Sequence, residues 1–350
     1  MVEMSASHDR ARMGSHEVQE VLGHYRLARV KEARAFNRGS SKSPKVLLRT
    51  LDGDFILKRC APGQDDPDRL ASRHRIVSMM EEHGCPIAGV VPSTDGETFI
   101  RRGSRLYELF RYVEGRRYRR NGPQAHASGY EMARMHDLLQ DWDGPLPEGS
   151  GYHEASGVET ALQRLPERLC PDDPHRRRGM TAICRSLAAL FEEAHSNVDR
   201  LGYGAAVRTI VHGDWHPGNV LFDGDEIVAI LDFDSIRHEP RVLDVANGML
   251  QFTMQIGSAD DIDRWPDALD LFQLESMRRG YDAGTFEPLE PQEIAMLPWL
   301  MIEALVVESI APIAVRGQFG SIPGDRFLRH IERQIGWIRP RIDDLVSKLR

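Results

Sequence analysis

Short apolar runs punctuated by turn dipeptides organise the first third of the chain. Residues 45–50 (KVLLRT) and 54–59 (DFILKR) flank Asp52-Gly53, and residues 97–101 and 105–110 flank Arg102-Gly103 in the same way. A glycine in a two-residue connection reaches positive φ without steric penalty, so both patterns predict β-hairpins. Between them lie residues 68–83, whose Leu70, Ile76, Val77, Met79 and Met80 predict a helix stopped by Gly84. Residues 25–110 therefore predict a small antiparallel sheet with one helix.

Beyond Tyr112-Val113-Glu114-Gly115 the pattern changes to helical spacing, over residues 130–139, 180–199, 268–280, 293–315 and 325–349. The stretch 294–315 is apolar nearly all round, which predicts a central helix. It also carries Glu303, Glu308, Pro298 and Pro312, which a lipid-facing span tolerates badly. Residues 139–157 are rich in Gly, Pro and Asp and predict an irregular connection. A strand-rich part followed by a larger helical part is an α+β pattern. The predicted organisation is a mobile tail at 1–18, a strand-rich lobe at 19–112 and a helical lobe at 113–350. No internal repeat or low-complexity tract is present.

A chain of 350 residues exceeds one ordinary core, which agrees with two lobes. Its 41% hydrophobic and 28% charged residues are those of a globular protein. The net charge of −8 lacks the basic surplus that nucleic acid or an anionic membrane surface demands, so neither is expected as a partner. The four cysteines form no C-x-x-C pair, and free thiols in a reducing compartment are expected. The first sixteen residues lack the apolar core of a signal peptide, and a cytoplasmic location is the expectation. Nothing in the sequence sets an oligomeric state.

The chemistry concentrates in residues 209–234, TIVHGDWHPGNVLFDGDEIVAILDFD. Residues 220–222 and 227–231 are two apolar runs separated by Asp223-Gly224-Asp225-Glu226, a third hairpin signal. Folding that hairpin brings the residue before its first strand, Asn219, beside the residue after its second, Asp232. An amide oxygen and a carboxylate on neighbouring strands suit one hard cation. Asp214 lies in the loop leading into the same end. Such a set serves metal-assisted phosphoryl transfer, in which one carboxylate takes a proton from the attacking hydroxyl and two oxygen ligands hold Mg2+. Asp-x-x-x-x-Asn is also the spacing of the protein-kinase catalytic loop, and Asp232-Phe233-Asp234 begins 13 residues after Asn219, where its metal-binding position falls. Asp214 or Asn219 alone is equally a turn former. The joint pattern carries the reading.

The segments His212-Gly213-Asp214-Trp215-His216-Pro217-Gly218-Asn219 and Leu231-Asp232-Phe233-Asp234 resemble the signature of the aminoglycoside phosphotransferase/choline kinase-like family. The wider sequence is similar to the branch that contains homoserine kinase type II and stress response kinase A. The resemblance covers about residues 20 to 340. It implies a bilobal, protein-kinase-like fold with ATP between a small antiparallel-sheet lobe and a larger helical lobe. It implies Asp214 as catalytic base, Asn219 and Asp232 on Mg2+, and Lys58 on the α/β-phosphates. Glu108 and Phe110 match a hinge whose backbone holds adenine, and Arg241 and Asp244 match a structural element below the catalytic loop. His212 and His216 are expected to position that loop. Asp234 is either a metal ligand or a group behind one. Two departures stand out. The helix expected to offer Lys58 a glutamate reads Ala71-Ser72-Arg73-His74-Arg75, with Arg73 in the acid's place. The phosphate-covering loop at 36–43 has one glycine and leaves Ser40 and Ser41, with backbone amides, to cradle phosphates.

The implied activity is ATP- and Mg2+-dependent phosphorylation of a small-molecule hydroxyl, on an antibiotic or an amino-alcohol metabolite. Three alternatives stay open on the sequence. A serine/threonine protein kinase is one, although Asp232 is followed too soon by Asp244 for a long activation segment. A metal-dependent hydrolase using His212, Asp214, His216, Asp232 and Asp234 is another. A nucleotide-binding pseudokinase is the third, argued against by intact Asp214, Asn219 and Asp232.

Overall fold

Val18 and Val21, three positions apart, put one apolar edge on α1 (Ser15–Leu22). The computed structural model describes residues 11–350 apart from Arg38, Ser40 and Ser41. Both valines enter a core with Tyr25, Val46, Leu48, Phe55, Leu57, Tyr107 and Leu109. Glu17 secures the helix by accepting hydrogen bonds from Tyr107 Oη and Arg59 Nη1, each at 2.7 Å. The tail expected to run to residue 18 therefore gives way to a docked helix at Ser15, because these two valines and one glutamate have partners on the sheet.

That sheet has five antiparallel strands, β1 (Glu32–Ala35), β2 (Lys45–Arg49), β3 (Asp54–Arg59), β4 (Ile100–Arg102) and β5 (Arg105–Arg111), in the order β1-β2-β3-β5-β4. Between β3 and β4 runs α2 (Pro67–Glu82). Asp66 caps it by accepting from Arg69 N–H at 2.9 Å, and Pro67 fills the first helical position, where no N–H is needed. The first hairpin and the helix form at their expected places; the second hairpin turns at Gly103-Ser104, one residue later than expected, and its first strand is shortened to Ile100–Arg102.

The chain then enters a second unit through α3 (Gly122–Gln140), α4 (Val158–Leu169), α5 (Pro174–Arg200) and β6 (Arg208–Val211). Residues 141–157 carry neither helix nor strand, as expected. The third hairpin, β7 (Val220–Asp223) and β8 (Glu226–Ile230), belongs largely to the first unit. Phe222 exchanges two backbone hydrogen bonds with Arg116, and Ile230 N–H donates to Pro86 O at 2.7 Å. The boundary expected after residue 112 is thus corrected: the first unit runs to Arg116 and reclaims Leu221–Asp223 and Val228–Asp234, because those strands find their hydrogen-bond partners there.

The second unit continues with β9 (Arg237–Pro240), antiparallel to β6, and then α6 (Arg241–Thr253), α7 (Leu271–Gly284) and α8 (Pro291–Arg316). A two-stranded ribbon, β10 (Gln318–Phe319) and β11 (Ile322–Pro323), precedes α9 (Gly324–Ile338) and α10 (Ile342–Leu349). The single helix predicted over 325–349 breaks at Arg339–Arg341, where Pro340 lacks the N–H that continuation requires. Among the described residues α8 is the one helix long and apolar enough to cross a membrane, and most of it is buried inside its own unit.

Glycine fixes the approach of α3 and α7. A Cβ on Gly280 would stand 2.0 Å from His126 O, and one on Gly129 the same distance from Met277 O. Replacing a helical glycine by alanine ordinarily gains about 1 kcal/mol. At Gly280 the methyl must push two helices apart, a cost of about 1–3 kcal/mol. Gly280→Ala is expected to lower the urea midpoint, whereas Gly179→Ala on α5, with nothing within 4 Å of its Cβ, is expected to raise it.

Candidate active site

Strand register builds the candidate group of the first unit. Lys58 on β3 stands directly opposite Glu108 on β5, and Lys45 on β2 stands opposite Lys58. Directly opposite residues share a face, so two lysines and a glutamate line one side of the sheet. Lys58 and Glu108 are buried, Glu108 completely. Lys58 Nζ donates to both oxygens of Asp234 at 2.8 Å and lies 3.5 Å from Glu108 Oε2. Arg73 reaches in from α2, its Nη2 on Glu108 Oε1 and its Nη1 on Asp234 Oδ1, both at 2.7 Å. His74 Nε2 is 2.9 Å from Glu108 Oε1, and Cys60 Sγ donates to Glu108 Oε2 at 3.2 Å.

The acid missing from α2 is therefore supplied by a strand. Arg73 does stand where the helix acid was expected, and it bridges the two carboxylates that flank the lysine. Burial alone depresses Lys58, but Glu108 and Asp234 more than reverse this and hold the ammonium above the ordinary lysine range. Burial likewise opposes ionisation of Glu108 and Asp234, and the charges of Lys58 and Arg73 keep both carboxylates below their usual range. For Lys45, burial pulls the pKa down; Asp232 opposes this and Lys58 adds to it. Lys45 escaped the sequence reading because its place becomes visible only once β2 and β3 are in register.

The adenine assignment of Glu108 and Phe110 is corrected by the same register. Tyr112 N–H donates to Asp54 O and Cys60 N–H to Leu106 O. Hydrogen-bonded pairs alternate along an antiparallel ladder, so the intervening pairs Ile56–Phe110 and Lys58–Glu108 spend their backbone groups within the sheet. The backbone leaves the ladder only past Tyr112. Ser40 and Ser41, the expected phosphate cradle, lie outside the described residues.

Asp232 follows β8 with φ of 65°, one of two non-glycine residues in the left-handed region among those described. Aspartate tolerates that conformation better than most residues, but it still costs about 1 kcal/mol or more and marks functional positions. Its carboxylate lies 4.0 Å from Lys58 Nζ and is partly exposed.

The second unit carries a candidate group of its own, the loop between β6 and β7. Asp244, near the start of α6, accepts the N–H of His212 at 2.7 Å and of Gly213 at 2.9 Å, with His136 Nε2 at 3.3 Å. Burial raises the Asp244 carboxyl, while the hydrogen bond and charge of His136 bring it below its ordinary value. Gly213 has φ of 76°, and a Cβ there would strike Ser235 O and the Arg237 guanidinium, so the loop requires glycine. Asp214 N–H donates to His212 Nδ1 at 3.3 Å. Asn219 Nδ2 donates to Asp214 O and to Asp214 Oδ2, both at 3.0 Å. His216 Nε2 stands 3.6 Å from Asp214 Oδ2, and its Nδ1 accepts from Gly218 N–H at 2.9 Å. The Asp214 side chain, braced on these sides, remains 47% exposed. Arg241 does not reach the loop: it forms a buried, bidentate pair with Glu293 at 2.8 and 3.0 Å, joining the starts of α6 and α8.

Two of the five ligands proposed for a metallohydrolase are thus committed elsewhere. Asp234 spends both oxygens on Lys58 and Arg73, and His212 Nδ1 accepts from Asp214 N–H. Glu308 on α8 is the residue of this group that sequence reasoning passed over as a mere interruption of an apolar helix. Burial, followed by the nearby charge of Asp214, pushes its carboxyl up to about 7, with Gln251 Nε2 donating to it at 3.4 Å.

The sequence model described as the phosphotransferase enzyme family matches residues 32–291. Homoserine kinase from Pseudomonas aeruginosa is 26% identical over 229 residues, which cover 62% of this chain and 63% of that protein. The match therefore spans less than two thirds of that relative's length. Among solved structures, the microcompartment-associated aminopropanol kinase superposes with a TM-score of 0.68 at 16% identity, covering 96% of this chain and 100% of the other. An aminoglycoside phosphotransferase from Alicyclobacillus acidocaldarius gives 0.66 at 15% identity with 95% of each chain covered. Amicoumacin kinase gives 0.65 at 13% identity, covering 95% of this chain and 94% of the other. These likenesses show a shared kinase-like α+β fold, with an antiparallel N-terminal sheet and a mostly helical remainder.

Glu308 generates a pH-dependent prediction. Its pKa is raised by folding, so its contribution to stability is fully present below the unfolded value of 4.5 and is lost as pH rises toward about 7. Glu308→Gln removes that loss. The variant is expected to melt above the wild type at pH 8, with the difference shrinking toward pH 5, in paired thermal scans.

Proposed function

We infer that this chain, which belongs to the phosphotransferase enzyme family, transfers a phosphoryl group from ATP to a hydroxyl of a small molecule. The observation that carries the reading is Asp214: an exposed carboxylate fixed by Asn219 and backed by His216, in a loop pinned to buried Asp244. A carboxylate so held accepts the proton of an attacking alcohol. Lys58 stays cationic between Glu108 and Asp234, which suits it to the nucleotide's phosphates, and Lys45 adds a second cation on the same face of the sheet.

Each of the two units offers a donor that fits Mg2+. Asn219 spends its Nδ2 on Asp214, which leaves its amide oxygen as an acceptor, and Asp232 offers a partly exposed carboxylate. Both are hard oxygen ligands of the kind magnesium takes. Bound there, the ion supplies neutralisation of phosphate charge. Asp234, locked by Lys58 and Arg73, holds the lysine instead. The backbone at Val113 and Glu114, beyond the ladder, takes the adenine-binding place first assigned to Glu108 and Phe110. The structure of amicoumacin kinase holds AMP-PNP and Ca2+, which supports a nucleotide and a divalent cation here.

The acceptor we propose is an amino alcohol or a related cationic small molecule. Homoserine kinase and aminopropanol kinase, two of the proteins to which the chain is similar, are named for such substrates. A protein acceptor is disfavoured by the short path from Asp232 to α6, which begins at Arg241 and leaves no room for a long activation segment.

The test is a panel of homoserine, aminopropanol, ethanolamine, aminoglycosides and a mixed protein extract, incubated with ATP and Mg2+ and scored by mass gain of one phosphoryl group. A small-molecule hydroxyl is expected to take the label. Asp214→Asn is expected to lower kcat by about 10²–10⁴-fold while nucleotide affinity stays close to the wild-type value. Full turnover by Asp214→Asn removes that residue from the mechanism, and label appearing only on protein overturns the acceptor assignment.

A further inference from the structure

A second group of metal-ligating side chains lies in the helical unit and has no part in the site above. His153 comes from the irregular segment between α3 and α4, His195 and Asp199 are four residues apart on α5, and Glu303 is on α8. The two imidazoles stack with centroids 4.4 Å apart and an interplanar angle of 28°. Their Nδ1 atoms both face the fully buried Glu303: His153 Nδ1 lies 2.9 and 3.0 Å from its two oxygens, and His195 Nδ1 lies 3.5 Å from Oε1. Their Nε2 atoms both face Asp199, at 3.4 Å from Oδ1 for His153 and 3.7 Å from Oδ2 for His195. One ligand atom from each of His153, His195 and Asp199 lies within 4.8 Å of the other two.

The proton count of this arrangement calls for a positive charge, which either an extra proton on the imidazoles or a metal ion supplies. A neutral imidazole carries one N–H. Glu303 is an acceptor, so each histidine that points Nδ1 toward it best places its proton there. Each Nε2 then presents a lone pair, and these two lone pairs meet the anionic oxygens of Asp199. Acceptors facing acceptors repel, unless a positive charge sits among them. A carboxylate behind the imidazole, with Nε2 turned forward, is also the arrangement that orients metal-bound histidines.

We propose that His153 Nε2, His195 Nε2 and the Asp199 carboxylate bind one divalent transition-metal ion of the zinc class, with Glu303 fixing both imidazoles from behind. Tetrahedral zinc with bonds of about 2.0–2.2 Å separates its ligand atoms by about 3.3–3.6 Å; the two Nε2–Asp199 distances of 3.4 and 3.7 Å lie near that range, and the stacked rings rotate apart to turn both lone pairs onto one ion. Two imidazoles and one carboxylate are borderline ligands that suit zinc better than magnesium or calcium. The ion has a route from solvent, since the side chains of Asp199 and His195 are 60% and 33% exposed while His153 and Glu303 are buried. Three protein ligands leave the fourth position to water. The site ties the irregular segment at 141–157 to α5 and α8, and its role is that of a clamp on that segment. It stands independently of the phosphotransferase reading.

The experiment uses the full chain in saturating Mg2+, stripped by chelation and titrated with Zn2+ or Co2+. One Zn2+ per chain is expected to bind at this site and to raise the melting temperature by several degrees, and Co2+ is expected to give the intense visible bands of tetrahedral coordination. Asp199→Asn and His195→Ala should each abolish the Co2+ bands and the Zn2+-dependent shift, and Glu303→Gln should weaken Zn2+ binding by about 10–100-fold. Asp199 is exposed enough for its variant to fold, which its circular dichroism will check. A wild-type chain with no tetrahedral Co2+ spectrum and no Zn2+ shift overturns the proposal; it leaves a proton as the bridging cation. Equal responses in the wild type and Asp199→Asn overturn it too, because the ion is then bound elsewhere.

Discussion

Two cations and two carboxylates neutralise one another against the sheet, Lys58 and Glu108 buried and Arg73 and Asp234 half-buried, and the candidate group of the first unit follows from that balance. A lysine as enclosed as Lys58 keeps its charge only if acids accompany it. Glu108 comes from the opposing strand and Asp234 from the end of the third hairpin; two acids around one lysine call for a second cation, and Arg73 from α2 fills that place. The cluster draws a sheet, a helix and a distant hairpin onto one point. It also divides labour between the two aspartates of the Asp-Phe-Asp triplet. Asp234 is consumed by the cluster, while Asp232, held in a left-handed conformation beside it, retains a partly exposed carboxylate.

In the helical unit a single element organises the acids. The helix α8 is apolar nearly all round, yet it carries Glu293, Glu303 and Glu308, and each has a defined setting: Arg241 for the first, His153 and His195 for the second, Gln251 and the field of Asp214 for the third. Charges of this kind are stable on a buried helix only when their partners are built in. The helix thus braces the start of α6, the segment at 141–157 and the surroundings of Asp214 at once. Asp244 completes the arrangement from α6 by tying down two consecutive amides of the His212–Gly213 turn.

How much of this the sequence disclosed follows the range of each interaction. The hairpins, α2 and the long helices depend on neighbours within a few residues, and their signals were local. Asp214, Asn219 and Asp232 stand out in the sequence because one hairpin of fixed length orders them. Glu108 was visible as a residue but not in its role: its partnership with Lys58 depends on register between strands 50 positions apart in the chain. The expectation of a helix acid drew attention to α2, where Arg73 appeared as a gap; in the structure it is the counter-charge that two strand and hairpin acids require. The docking of α1 rests on two valines and Glu17, too few positions to announce a helix before the sheet they meet is known. The histidine and acid cluster around Glu303 was out of reach for the same reason, since no local pattern links His153 to a glutamate 150 residues later.

The direct test of the account is a double-mutant cycle on the cluster, with Arg73→Met, Glu108→Gln and the combined variant measured by denaturant unfolding. Each single change leaves an unbalanced buried charge and is expected to cost about 3–5 kcal/mol. The combined variant restores the balance with one cation and one carboxylate, so it should be more stable than the sum of the single losses predicts, by about 1 kcal/mol or more. Strictly additive losses would contradict the claim that charge balance at Lys58 holds the first unit's cluster together.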